Sequence, residues 1–221
     1  QRRRYTDLLE GFAQKFPGTE GAELFSVPGR TEVGGNHTDH NAGRILAGAV
    51  DLDIAAVAAR NPDGLIRVRT DQYPDVDVRI DEPGVVESEQ FTPASLARGV
   101  CARMQQLGYK VGGFDACTQS TVPEGSGLSS SAAFEVLVAA ILNYQYNDAA
   151  IDPVTIAQIA QFSENEYFGK PCGLMDQTTC SVGGLVTIDF EDFAKPIVEK
   201  VDYDFAASGY SVVIVNTGGS H

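Results

Sequence analysis

Apolar residues follow two rhythms along this chain, one near 3.6 residues and one of two, and these predict its elements. At positions 5–16, Leu8, Leu9, Phe12 and Phe16 fall at helical spacing, and Pro17-Gly18 closes the helix. Positions 23–27 read as a strand feeding a glycine-rich stretch that begins at Pro28. Short strands follow at 54–59, 65–70 and 76–80, with Asn61-Pro62-Asp63-Gly64 as the turn between the first two. Positions 93–107 form an amphipathic helix stopped by Gly108, and 114–121 form a strand. The segment at 134–142 is apolar nearly all round, with Glu135 its one charge before Asn143, which predicts a buried helix. A helix at 153–167, a strand at 185–188 and a buried strand at 210–215 complete the order. Strands mixed with packed helices, with no repeat or linker between them, predict an α+β domain.

Composition narrows the partners. A chain of 221 residues with 43% hydrophobic content buries a real core in one or at most two domains. A formal charge of −14 argues against nucleic acid and anionic membrane surfaces, which reward Lys and Arg. Much of the acid lies at 71–89 (Asp71, Asp75, Asp77, Asp81, Glu82, Glu87 and Glu89), expected as a solvated hairpin and loop because no His or Cys clusters with it. Cys101, Cys117, Cys172 and Cys180 show no CxxC spacing, so free thiols in a reducing compartment are expected. With no signal peptide and no uninterrupted apolar span near about 20 residues, the expected location is cytoplasmic.

Chemistry concentrates in Pro123-Glu124-Gly125-Ser126-Gly127-Leu128-Ser129-Ser130-Ser131-Ala132-Ala133. Glycines let backbone N–H groups turn toward an anion, and the helix behind them adds unpaired amides and the positive end of its dipole. Serine hydroxyls can cap that helix, or reach a phosphate oxygen or a metal. The stretch reads as a phosphate-binding loop without the lysine of a Walker loop; a capped turn is the plainer alternative.

Two further stretches favour the phosphate reading. One is Pro28-Gly29-Arg30-Thr31-Glu32-Val33-Gly34-Gly35-Asn36-His37-Thr38-Asp39-His40-Asn41, the other Glu164-Asn165-Glu166-Tyr167-Phe168-Gly169-Lys170-Pro171-Cys172-Gly173-Leu174-Met175-Asp176-Gln177. With the phosphate loop, in this order and spacing, they resemble the GHMP sugar and small-molecule kinases, and within them most closely the galactokinases. The resemblance runs from Phe25 to the end of the chain. It implies a GHMP kinase N-terminal domain, a mixed β-sheet covered on one face by helices and carrying a left-handed βαβ crossover, whereas the general rule alone predicts right-handed. The activity it implies is transfer of the γ-phosphate of ATP, with Mg²⁺, to the anomeric hydroxyl of galactose or a related sugar. A non-catalytic, galactokinase-like sugar sensor or scaffold is the alternative on the same fold. A kinase for another small molecule is disfavoured by His37-Thr38-Asp39, which belongs to the sugar branch.

The resemblance also assigns roles. Asp176 is the implied catalytic aspartate, which accepts the proton of the sugar hydroxyl or orients it for attack; an N-cap role is the plainer reading. Arg30 is the implied second catalytic residue, a guanidinium that favours the charged form of Asp176 and holds charge at the transferring phosphoryl group; a surface ion pair is its alternative. Asn36, His37, Asp39 and the backbone of Gly173 are the implied sugar contacts. Galactokinases usually carry glutamate where this chain has Asn36, which puts the identity of the sugar at issue. Gly125, Ser126, Gly127, Leu128, Ser129, Ser130 and Ser131 form the implied cradle for the ATP phosphates. Ser131 and Glu164 are the implied Mg²⁺ ligands, with Glu166 a competitor. The ending Asn216-Thr217-Gly218-Gly219-Ser220-His221 reads as cut in mid-motif. The chain is therefore expected to be the N-terminal, sugar- and phosphate-binding domain at 1–221, without the C-terminal kinase domain and inactive by itself.

Overall fold

The computed structural model describes residues 2–70, 72–123, 125–204, 207–213 and 215. One long strand organises its sheet. β1 (Glu23–Gly34) runs antiparallel to residues 46–58 of β2 (Arg44–Arg60). β5 (Phe114–Ser120) pairs with residues 54–60 of β2, and β6 (Leu185–Asp189) with residues 44–48. Because β1 shares partners with both, β5 and β6 lie together on the opposite edge of β2, one along each half. Outside β5 come β3 (Leu65–Thr70), parallel to it, and then β4 (Val76–Arg79); outside β6 comes β7 (Ile197–Val201). The sheet is therefore mixed, mainly antiparallel, with one parallel pair bridged through α2 (Pro93–Gln106).

Alternation along β2 shows how the layers form. Ala56 and Ala58 face a core shared with α2, α3 (Ser130–Tyr146) and α4 (Pro153–Ser163). Ala55, Val57 and Ala59 face the other way, onto Leu8 and Phe12 of α1 (Arg2–Lys15). Small side chains on both faces let helices approach the sheet closely. Helices thus cover both faces, not one. The amphipathic α1 supplies the second layer, tied down where Arg4 pairs with Asp53 and donates to the Gln119 carbonyl at 2.7 Å. α3 is apolar nearly all round because it contacts β1, β2, α2, α4 and α5 (Met175–Val182).

Three further expectations need correction. β2 begins ten residues before the strand expected at 54–59, its first half masked in sequence by Arg44, Asp51 and Asp53. The expected helix at 153–167 is α-helical to Ser163 and then widens into a π-helical turn, Glu164–Phe168. The buried strand expected at 210–215 is absent among the described residues, where Tyr210, Val212, Val213 and Val215 are exposed. An apolar run becomes a core strand only where a sheet edge and a covering layer receive it. Asp71, Glu124 and the ending at 216–221 lie outside the described residues.

The acidic stretch is partly neutralised. Arg69 pairs with Asp75 and Asp77, Arg79 with Asp81 and Glu82, and Arg98 with Glu89. The four cysteines are free, and burial pushes the Cys101 thiol up to about 12. No helix among the described residues is long and apolar enough to cross a membrane.

Candidate active site

Arg30 sits on β1 just past a bulge, where the register with β2 shifts between Pro28 and Arg30. Bulges of this kind re-aim side chains. Gly29 occupies the bulge because the phosphate loop presses on it: a Cβ there would lie 2.8 Å from the Leu128 carbonyl oxygen. The same carbonyl accepts the Arg30 amide at 3.1 Å, so strand and loop are stitched together. The Arg30 guanidinium then donates to Asp176 through Nε at 2.7 Å and Nη2 at 2.6 Å, and Nη1 reaches the Gly127 carbonyl.

Asp176 lies in the first turn of α5, whose N-cap is Leu174, so the plainer N-cap reading does not hold. Its Oδ2 also accepts from the Ser129 hydroxyl at 2.5 Å. Ser129 is the N-cap residue of α3, with φ 61° and no side-chain cap bond. Of the uses open to the serines of this loop, capping is not the one that Ser129 takes. Its hydroxyl is spent on Asp176, leaving the first amides of α3 for an anion. Gly125 and Gly127, at φ 64° and 72°, face open space, and Ser126 closes the turn through the Pro123 carbonyl at 2.6 Å.

The expected metal pair also comes together. Ser131 Oγ donates to Glu164 Oε1 at 2.9 Å, and Glu164 is 3% exposed, whereas its competitor Glu166 is exposed. Burial raises the proton affinity of Glu164, opposed by the Ser131 hydrogen bond. Gln177 Nε2 donates to Glu164 Oε2 at 2.8 Å and approaches Glu135 Oε2 at 3.4 Å. Glu135 is fully buried, and desolvation, followed by the Glu164 carboxylate, pushes it well above the usual glutamate range. Glu135 Oε1 and Gln177 Oε1 are buried without a hydrogen-bond partner. Cys172 borders this cluster, its thiol pushed up by burial and then by Glu164.

The implied sugar residues lie on two turns. Asn36 and His37 both have positive φ, and both are exposed. Glu32 accepts the His37 amide at 2.9 Å and lies 3.2 Å from His37 Nε2. Asp39 is buried instead, accepting the Met175 amide at 3.2 Å. Gly173 lies against that carboxylate, where a Cβ would come within 1.8 Å of Oδ2. Asp39 therefore locks the turn before α5, and with it the approach to Asp176.

One feature had no sequence signal. A cavity of about 130 Å³ opens beside Ser130 and Ser131, walled by Ile54, Val68, Phe91, Leu96, Phe134 and Phe168. These residues come from five elements and intervening segments, and no single stretch reveals that they meet. Gln177 was likewise missed as a partner of Glu164, although it directly follows Asp176.

Comparison with known proteins agrees with this arrangement. The GHMP kinases N terminal domain profile matches residues 95–184, and the galactokinase galactose-binding signature matches residues 10–60. Galactokinase of Bacillus subtilis strain 168 is 32% identical over 218 residues, covering 93% of this chain and 53% of that protein. Galactokinase of Streptomyces coelicolor is 33% identical over 212 residues, with 92% and 52% covered. The chain spans about half the length of the curated relatives it matches. The crystal structure of Lactococcus lactis galactokinase complexed with galactose superposes with a TM-score of 0.80 at 26% identity, covering 90% of this chain and 52% of that one. Methanococcus jannaschii mevalonate kinase shares the fold, with a TM-score of 0.66 at 16% identity over 85% of this chain and 58% of that one. With two family signatures in order along one fold, and galactokinases matching over nearly its full length, the chain has the fold of the GHMP kinase N-terminal domain and within that family is similar to the galactokinases.

Proposed function

We propose that this chain is the sugar- and phosphate-binding part of an ATP-dependent sugar-1-kinase. It would transfer the γ-phosphoryl group of ATP to the anomeric hydroxyl of galactose or a close relative. The observation that carries this reading is the Arg30–Asp176 pair, bound directly into the phosphate loop through Gly127 and Ser129. A carboxylate and a cation held beside a cradle of backbone amides are the parts that phosphoryl transfer needs.

The Asp176 carboxylate already receives three donors, two from Arg30 and one from Ser129. Such a carboxylate is well fixed. It suits a loose transition state, in which the sugar hydroxyl needs orientation first and gives up its proton late. Arg30 spans Asp176 and the loop, so its charge stands where negative charge gathers on the transferring group. Asn36 and His37 lie on one turn and Gly173 on another, before α5; Asp39 joins the two, and Asn36 and His37 stand open to a ligand.

Ser131 and Glu164 suit Mg²⁺: a hydroxyl and a carboxylate converge, and no group of three His, Cys, Asp or Glu forms a closed cage among the described residues. Such a pair fits a cation that completes its shell with water and phosphate oxygens. When bound, Mg²⁺ supplies charge neutralisation at the phosphates. The apolar cavity beside Ser130 and Ser131 is the natural seat for the base of a nucleotide whose phosphates rest on the loop.

A coupled assay of ADP release by the full-length protein, over a panel of hexoses and pentoses, tests the reading. Sugar-dependent turnover with galactose or a close relative is expected. No sugar-dependent release from any member would end it, and calorimetric sugar binding without turnover would make the protein a sensor.

A further inference from the structure

Phe91 is held in a place that its own energetics disfavour. Its backbone lies in the left-handed region at φ 61°, which bulky residues rarely adopt, and its side chain is 67% exposed. Strain of this kind points to a use outside the fold itself. The segment at 82–92 that carries it is fastened from beneath. Glu89 receives Arg98 Nε and Nη2, each at 2.7 Å, and Arg98 Nη1 donates to the Glu82 carbonyl at 2.5 Å. The Arg98 side chain is 6% exposed, an unusual depth for a cation. Tyr167 fastens the same segment by donating to the Pro83 carbonyl at 2.5 Å. Thr92 Oγ1 donates to the Glu89 carbonyl at 2.6 Å, and the Phe91 amide reaches the Phe168 carbonyl at 3.3 Å. The Phe91 ring then meets Phe168 edge-on, with centroids 5.6 Å apart and planes at 76°. Both rings line the apolar cavity that opens beside Ser130 and Ser131.

We propose that Arg98 and Glu89 are positioning residues that hold Phe91 against the planar base of a bound nucleotide. The inference rests on the nucleotide reading above and adds the device that sets affinity for the base. The bidentate Arg98–Glu89 pair fixes the segment in two dimensions, and the ring carried two residues later inherits that fixity. Lysine cannot reproduce the fork. Stabilisation reaches the ligand through Phe91 alone, so removing the ring makes the clamp irrelevant to binding.

The test is ADP affinity by calorimetry, with thermal stability alongside, for the full-length protein and three variants. Phe91→Gly is expected to weaken ADP about tenfold, the scale of one base–aromatic contact. Its melting temperature should not fall, since glycine relieves the left-handed backbone. Arg98→Lys is expected to weaken ADP severalfold while leaving sugar affinity unchanged. The double variant should bind ADP no more weakly than Phe91→Gly alone, the signature of two residues acting in series. Wild-type ADP affinity in Phe91→Gly, or losses that multiply in the double variant, would overturn the clamp. A wild-type protein that takes up no ADP would overturn the nucleotide reading itself, and this inference with it.

Discussion

Asp176 and Gln177 are consecutive on α5, yet they serve two carboxyl environments handled in opposite ways. On one side, Asp176 keeps a partly exposed carboxylate against the bidentate guanidinium of Arg30, with Ser129 as a third donor. On the other, Gln177 lies between Glu164 and Glu135, two buried acids that form no salt bridge among the described residues, with Lys170 acting on both only at a distance. Charge in the first cluster is matched inside the protein. In the second it is suppressed by burial, and on the proposed reading Glu164 would take its cation from outside. A site that moves phosphoryl groups needs both, a fixed carboxylate for the acceptor and a replaceable counter-charge for the phosphates.

Neutralising one acid from each cluster should therefore give opposite results. Asp176→Asn keeps the shape but leaves Arg30 without its charged partner. Turnover in the full-length protein is expected to fall by about 10³-fold, with a stability loss of about 2 kcal/mol, read by steady-state kinetics and urea unfolding. Unchanged turnover would remove Asp176 from the reaction. Gln177→Glu sharpens the contrast by placing a third carboxyl among two buried ones. It is expected to cost about 3 kcal/mol at pH 8 and markedly less at pH 4. Equal loss at both would show that packing, not charge, rules that cluster.

Glu135→Gln is the smallest and most pointed change. The folded protein raises the proton affinity of Glu135 above the usual value near 4.5. Its contribution to stability is therefore full below that pH and is lost as pH rises through the higher folded value. Glutamine removes the titration while keeping the shape, so the variant should gain about 1 kcal/mol over wild type at pH 8 and nothing at pH 4. Equal destabilisation at both would mean that Glu135 is needed as an acid.

Much of this site was legible because its motifs are local. Arg30, Asp176, Ser131 and Glu164 each sit in a short stretch whose residue types announce chemistry, and the structure brings them into two contacting pairs. What stayed hidden depends on where elements meet. The Ser129 hydroxyl has two possible destinations, the α3 amides or Asp176, and only the fold selects between them. β7 carries Glu199 and Lys200 among its valines and is mostly exposed, so its strand character comes from pairing with β6 rather than from its own pattern. The long β2 was cut short for the same reason, because polar edge positions look like a loop until their partners are known. At 210–215 the opposite happened, and hydropathy alone suggested burial that no neighbour supplies among the described residues.

The stitching of Arg30 to Asp176 also has a kinetic side. The two residues are 146 positions apart, whereas β1 and β2 are joined by a short connection. The hairpin can close early at little loop entropy, while the ion pair must wait for nearly the whole sheet and three helices to be in place. Arg30 is thus expected to meet its partner late in the folding reaction. Weakening that pair acts on how long the native state survives rather than on how quickly it is reached. During synthesis, the first strand must stay soluble with its cation unmatched until α5 has left the ribosome.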